Sequence, residues 1–321
     1  MVVIDQRGAR LGHQAGALIV RMPKQPPRSI PLNLINQLVL AAAVEVQSTL
    51  FTHLAERGIG VVIMPGRGHR RSMFLYGAGH GDAARRLGQY HLVSDPLTAH
   101  WWARRFVAFK LIGGARLLRR ALARRPDCRH GLTRATAQLR AALIQARRAD
   151  NRERLRGIEG AASAAFLRAY RALFPVSLEF FGRNRRPPRD PVNAALSLGY
   201  TLAHGDATRA IAHAGLDPML GFLHEAAYSR ESLACDFVEL ARPRIEHLVW
   251  RLFAERQLRG EQFTRDGEAS RMGKTARHRF FAAYETHAAL HRRWFRRYAR
   301  GLSAACVEAA NATHRGHRAN A

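Results

Sequence analysis

The chain has 321 residues, enough for one large hydrophobic core or two modest ones, so we expect one or two domains. Hydrophobic residues make up 47% of the sequence, which argues against a disordered chain. Lysine and arginine total 52 against 24 acidic residues, which gives a formal net charge of +28 at pH 7. A charge of this size attracts a polyanion, either a nucleic acid or an anionic membrane surface.

The N-terminal part contains short β-type runs with glycine or proline close by. They cover residues 1–4, 17–22, 60–64 and 72–76. Residues 31–40 and 48–57 mix strand and short-helix character, with Ser48 as a candidate helix N-cap and Gly58 as a candidate stop. We interpret residues 1–94 as a small β-rich, β-sandwich-like domain with an inserted helix.

From about residue 95 onward, apolar residues recur at i, i+3, i+4 and i+7, which is typical of amphipathic helices. The predicted helices cover residues 101–123, 134–148, 153–174, 191–203, 206–214, 232–257 and 276–310. Gly205, Gly215 and Gly260 are expected to separate some of them. The fold class is therefore α+β, with an all-α domain over residues 95–321.

The basic residues are almost all arginines, since Lys24, Lys110 and Lys274 are the only lysines. Arginine binds phosphate oxygens bidentately and stacks on bases, which favours DNA as the polyanion. Coding bias in a GC-rich genome explains the ratio of arginine to lysine equally well, but it does not explain the net charge.

The cysteines and the apolar runs indicate the cellular compartment. Cys128, Cys235 and Cys306 lie far apart without a CxxC pattern, which argues against a disulfide framework or a zinc ribbon. No secretory signal is evident, and the apolar run at residues 38–44 is too short to span a bilayer. We expect a soluble cytoplasmic protein.

Residues 221–243 carry the most informative pattern. Asp236 and Glu239 stand three apart, so on a helix they share a face, and His224 precedes them. Two carboxylates and an imidazole suit Mg²⁺ or Mn²⁺. Taken alone, the same residues are more often a solvated helix face.

Two other segments carry polar residues in helical settings. Glu159 lies among small and apolar residues, where a carboxylate is costly unless it is paired or binds a metal; the alternative is a surface glutamate. Asn193, Ser197 and Tyr200 follow one helical stripe and can contact phosphate or orient a metal ligand. By itself this is only a polar stripe.

Four motifs of the helical half occur together. They are G-x-E-G-A-A around Glu159, D-P-V-N-A-x-L-S-x-G-Y from Asp190, A-G-L-D-P-x-x-G-F-L-H ending at His224, and S-L-A-x-D-x-x-E-x-x-R-P from Ser232. In this order and spacing they resemble the CRISPR adaptation integrase family, the universal first CRISPR-associated protein. The N-terminal half agrees less specifically, through Ile30-Pro-Leu, the stretch that starts at His53 and Arg86-Leu-Gly-Gln-Tyr90.

The resemblance implies a metal-dependent DNA endonuclease and integrase that inserts captured fragments as new spacers into a CRISPR array. Carried over by position, Glu159, His224 and Glu239 would bind Mg²⁺ or Mn²⁺, and Asp236 would be an adjacent acid needed for activity. The N-terminal domain would mediate a homodimer. The implied partners are double-stranded DNA, as captured fragment and CRISPR repeat, and a small ferredoxin-like companion protein.

Several alternatives stay open at this stage. A transposon-borne integrase of the same fold or a catalytically silent DNA-binding subunit would carry the same motifs.

The segment Ile112-Gly-Gly-Ala115 after Lys110 departs from the family, where an asparagine is frequent. The basic aromatic stretch from His291 to Tyr298 either binds DNA or, as we prefer, forms an amphipathic helix with its aromatic residues in the core. Gly273-Lys-Thr275 does not qualify as a P-loop, because its glycine spacing is wrong and no preceding strand is predicted.

Overall fold

The computed structural model describes residues 1–64, 72–77, 81–184 and 187–319, with side chains described as far as residue 312. The strands are β1 Val2–Ile4, β2 Arg10–Gln14, β3 Ala17–Arg21, β4 Arg28–Pro31, β5 Gln37–Leu40, β6 Glu45–Val46, β7 Gly60–Ile63, β8 Met73–Leu75, β9 Phe263–Asp266 and β10 Ala269–Met272. The α-helices are α1 Ser48–Glu56, α2 Ala83–Ser94, α3 Pro96–Leu122, α4 Arg129–Arg148, α5 Arg152–Arg171, α6 Pro191–His213, α7 Ser232–Ala254 and α8 Lys274–Ala319.

The N-terminal strands form two four-stranded sheets, in the orders β1-β5-β7-β8 and β4-β3-β2-β6. Within the first sheet, β1, β5 and β7 are parallel, with Leu38 opposite Val61. Because side chains alternate along a strand, these two residues point to one face. There they share a buried cluster with Leu11 and Leu18 of the second sheet. The β-sandwich-like prediction is confirmed.

The opposite face of the first sheet packs on the helical half. Val39 and Val62 follow Leu38 and Val61 along their strands, so they point to the other face of the sheet. There they belong to the hydrophobic core of the helical half. A Cβ at Gly205 on α6 would lie 3.0 Å from the side chains of Val62 and Phe74. The predicted break at Gly205 is wrong, because this glycine lets a continuous α6 approach the sheet closely.

The second part of the chain is helical, as predicted, with one exception among its described residues. Strands β9 and β10 form an antiparallel hairpin between α7 and α8, which the apolar periodicity did not reveal. A strand therefore does precede Gly273-Lys-Thr275, although the glycine spacing still does not match a P-loop. The predicted division into residues 1–94 and 95–321 stays a prediction.

Helix α2 was not predicted. It begins after Asp82, whose carboxylate accepts the backbone N–H of Ala84. It then packs against α8, with Gly88 at the contact.

In the described part of the chain, no helix has the length and apolarity needed to cross a bilayer.

The α2–α8 contact generates a stability prediction. A Cβ at Gly88 would lie 1.8 Å from the backbone oxygen of Cys306, so Gly88→Ala forces the two helices apart. We expect the free energy of unfolding in urea to fall by about 3 kcal/mol, as for other overpacked sites. Gly301→Ala on the same α8 is the control, since a Cβ there meets nothing within 4 Å. It should raise stability by about 0.5–1 kcal/mol. Equal effects of the two substitutions would contradict the close packing of α2 on α8.

Candidate active site

A cavity of about 1720 Å³ lies among α3, α5, α6, α7 and the β9–β10 hairpin. Three of the four predicted site residues, Glu159, His224 and Glu239, line it. The fourth, Asp236, is fully buried behind it. The structure thus brings Glu159 and the distant segment 221–243 to a single cavity.

Lys110 on α3 connects two of the predicted ligands. Its ammonium donates a hydrogen bond to Oε1 of Glu159 and lies 2.9 Å from Oε2 of Glu239. The side chains of Lys110 and Glu239 are 16% and 4% exposed, so water screens this contact little. Ser163, one turn along α5, donates a second hydrogen bond to Glu159 at 2.8 Å. Two carboxylates from different helices therefore share one cation.

Glu239 is also held by Arg242 on its own helix. The guanidinium donates two hydrogen bonds, from Nε to Oε2 and from Nη2 to Oε1, each 2.8 Å long. Burial by itself would favour the protonated acid, but Arg242 and Lys110 hold the pKa of Glu239 well below its usual range. Glu239 is therefore a buried carboxylate that is ionised at neutral pH.

Asp236 fixes the position of His224. Its Oδ2 accepts the backbone N–H groups of Phe222 and Leu223, at 2.7 and 3.0 Å. Its Oδ1 accepts the backbone N–H of His224 at 3.0 Å and lies 2.7 Å from Nδ1 of the same imidazole. With Nδ1 engaged, Nε2 is the ring nitrogen left for a ligand, as in carboxylate–histidine–metal arrangements. Asp236 and Glu239 thus share a helix but contact different groups.

The polar stripe of α6 holds an arginine at the cavity wall. Arg183 donates to Oδ1 of Asn193 at 2.7 Å and to Oγ of Ser197 at 3.0 Å, and its guanidinium lies 5.5 Å from the ring centre of Tyr200. Tyr200 in turn donates its hydroxyl to Glu246 at 2.9 Å. The stripe therefore fixes the guanidinium of Arg183 at the cavity wall.

The departure at Ile112-Gly-Gly-Ala115 has a packing role. A Cβ at Gly113 would lie 2.6 Å from the Pro243 ring of α7, and one at Gly114 would lie 2.9 Å from Leu139 of α4. The two glycines let α3 lie close against both helices. Since Lys110 is one turn earlier on α3, this packing helps to bring its ammonium between the carboxylates.

With this geometry established, comparison with known proteins identifies the family. A sequence profile of the family described as CRISPR associated protein Cas1 matches residues 2–286. A CRISPR-associated endonuclease Cas1 of Thermodesulfovibrio yellowstonii is 32% identical over 293 residues, which are 88% of this chain and 90% of the relative. One of Thermus thermophilus is 33% identical over 293 residues, covering 89% and 83%. The chain belongs to the Cas1 family.

Solved structures agree in fold with this Cas1-family chain. A CAS1 protein from Thermotoga maritima aligns with a TM-score of 0.81 and 20% identity, over 95% of this chain and 96% of that one. A casposase bound to integration product aligns with a TM-score of 0.81 and 18% identity, over 94% and 90%. At these identities the likeness concerns the fold, while the names of the closer sequence relatives support a nuclease.

The donor set of this Cas1-family chain suits a divalent metal. Among the described residues, no three histidine, cysteine, aspartate or glutamate side chains are gathered closely enough to hold an ion as they stand. Instead, Lys110 bridges Glu159 and Glu239, which shows that both carboxylates can reach one cation. His224 lines the same cavity. The assignment of Glu159, His224 and Glu239 as metal ligands stays a prediction.

Sequence reasoning on this Cas1-family chain missed Lys110, Arg183 and Arg242 as parts of the site. A weak signal existed for Lys110, because it is one of only three lysines in a chain rich in arginine and can supply a compact ammonium group. No comparable signal marked Arg183 or Arg242 among so many arginines.

Glu246, one helical turn beyond Arg242, generates a pH prediction. Burial raises the pKa of its carboxyl from 4.5 to about 7. Between these values the folded chain holds more protons than the unfolded chain, so stability falls as the pH rises from about 4.5 to about 7 and then levels off. Glu246→Gln keeps an acceptor for Tyr200 and removes this loss. Relative to wild type, its free energy of unfolding should gain about 2–3 kcal/mol between pH 4.5 and 7.5.

The measurement is urea unfolding at both pH values. Glu153→Gln, an exposed position on α5, is the control and should follow wild type at both. Parallel profiles for wild type and Glu246→Gln would show that the Glu246 carboxyl titrates normally in the folded chain.

Proposed function

We propose that the chain is a metal-dependent DNA endonuclease and integrase that inserts captured DNA fragments as new spacers into a CRISPR array. The observation that carries the proposal is the cation shared by Glu159 and Glu239 inside a cavity that also contains His224. The family assignment and the net charge of +28 support DNA as the substrate.

The metal would be Mg²⁺ or Mn²⁺, held by Glu159, Glu239 and His224. When bound, it would lower the pKa of the attacking hydroxyl and stabilise the charge that develops at phosphorus. Asp236 holds the imidazole of His224 in one orientation through Nδ1. Arg242 keeps Glu239 ionised, so that no proton has to leave this carboxylate before a cation binds.

The reaction is a transesterification. The 3′-hydroxyl of a captured fragment attacks a phosphodiester at the repeat boundary, one P–O bond forms, and one breaks to release a new 3′-hydroxyl. With water as the nucleophile, the same site nicks DNA. Arg183, fixed by Asn193 and Ser197, can contact a phosphate oxygen at the cavity wall.

The proposed partners are a second copy of the chain, with the N-terminal domain as the dimer contact, a small ferredoxin-like companion protein and the two DNA duplexes. Two similar solved structures, a Cas6-RT-Cas1–Cas2 complex and a TtCas1–DNA complex, support a protein partner and DNA as partners. We place the reaction in the cytoplasm.

The test is strand transfer of a fragment into a repeat-containing duplex with Mn²⁺ and the companion protein. Glu159→Ala, His224→Ala and Glu239→Ala should each lower the rate at least about 100-fold, because each removes a predicted ligand. DNA affinity should stay within about twofold of wild type, since phosphate contacts elsewhere dominate binding. Glu153→Ala, an exposed acid on the helix of Glu159, should transfer at the wild-type rate.

Activity that survives two of the three substitutions would place the site elsewhere. Cleavage of a branched duplex with and without EDTA distinguishes a metal-dependent enzyme from a catalytically silent subunit. If the chain is a silent subunit, wild type cleaves the duplex in neither condition. A repeat array and a companion gene beside the coding sequence would favour the CRISPR role over the transposon-borne one.

A further inference from the structure

A second cavity lies on the other side of α6, away from the candidate active site. It has a volume of about 410 Å³ and shares no lining residue with the active-site cavity. Its walls come from α6, α8 and the N-terminal part of the chain, where Asn36 and Gly58 contribute. The two halves of the protein therefore meet at this cavity.

Five arginines line this cavity, which we call the arginine pocket: Arg57, Arg209, Arg292, Arg296 and Arg300. Their spacing explains the convergence. On α8, Arg292, Arg296 and Arg300 are four residues apart and share one face. On α6, Arg209 and His213 are also four residues apart and face the same space.

The pocket has more positive charge than its own acid can neutralise. Among the described residues that line it, Asp206 is the only carboxylate, and Glu285, which does not line it, pairs with Arg292 at 2.9 Å. Asp206 accepts hydrogen bonds at 2.9 Å from Nε of Arg292 and from the hydroxyl of Tyr284, and Arg209 lies 3.5 Å from it. This carboxylate is completely buried, and Arg292 and Tyr284 both contact its Oδ2.

The remaining arginines lack comparable partners. Arg296 and Arg300 are exposed and form no ion pair with any described residue. Arg57 is 43% exposed, and its nearest carboxylate, that of Glu56, is 3.8 Å away. Burial, together with the nearby Arg292 and Arg296, lowers the pKa of Arg209, although Asp206 opposes the shift. The like charges are thus close enough to repel one another.

We propose that the arginine pocket binds a phosphate group, carried either by a DNA strand or by a free phosphate compound. Guanidinium groups bind phosphate oxygens bidentately. Several converging guanidinium groups repel one another, and an anion between them offsets this repulsion. The volume suits a small phosphate-bearing group and excludes a duplex from the interior. The proposal does not depend on the metal site or on catalysis.

An anion bound in the arginine pocket would contact both halves of the molecule. Arg57 follows α1 in the N-terminal part, whereas Arg296 and Arg300 belong to α8. Arg209 already crosses this junction by donating a hydrogen bond to the backbone oxygen of Asn36. An anion held from both sides should stabilise the folded chain in proportion to its occupancy.

The test uses pyrophosphate as the probe, with calorimetric titration and thermal unfolding of the full chain. Wild type should bind pyrophosphate and unfold at a higher temperature in its presence. The double variant Arg296→Ala/Arg300→Ala should bind at least about 10-fold more weakly, because it loses two charge-assisted contacts. Arg293→Ala/Arg297→Ala, two exposed positions on the same helix that do not line the pocket, is the matched control and should bind like wild type.

Equal affinities of the two double variants, or no binding by wild type, would overturn the proposal. Fluorescence anisotropy with a labelled DNA strand then distinguishes the source of the phosphate. If DNA supplies it, pyrophosphate competes with the strand, and the pocket variant loses more DNA affinity than the control. If a free compound supplies it, the two variants bind DNA equally and pyrophosphate does not compete.

Discussion

Two carboxylates, Glu159 of α5 and Glu239 of α7, share the ammonium group of Lys110 in the interior of the helical half. Like charges at this depth repel strongly, so their proximity requires a cation. Lys110 supplies it from α3, and Arg242 adds a second positive charge beside Glu239. The site is therefore already organised around a positive centre. In the proposed function a divalent ion would replace the lysine between carboxylates that are already close together.

The packing of the helices serves this arrangement. Gly113 and Gly114 let α3 lie against α7 and α4, and the short distance keeps Lys110 within reach of two other helices. Asp236 satisfies three backbone N–H groups of the segment before α7, and with them it fixes the loop that carries His224. The geometry of the candidate site thus depends on the close approach of helix backbones and on a buried acceptor, and a substitution at either place is costly.

The sequence predicted the fold class and the main helices because apolar periodicity is strong in them. It missed β2, β4 and β6, which are short and contain polar residues, as well as helix α2 and the β9–β10 hairpin within the helical half. Gly205 was read as a helix end, whereas its role is close packing against the sheet. The motifs contain the acids and the histidine. A local sequence pattern cannot show that Lys110, 49 residues from Glu159, lies between Glu159 and Glu239.

The most direct measurement is anomalous X-ray diffraction from crystals of the protein soaked with Mn²⁺. We expect one strong peak in contact with Glu159, Glu239 and Nε2 of His224, with the Lys110 ammonium moved away from the carboxylates. A peak elsewhere, or no peak while Lys110 still bridges Glu159 and Glu239, would contradict this expectation.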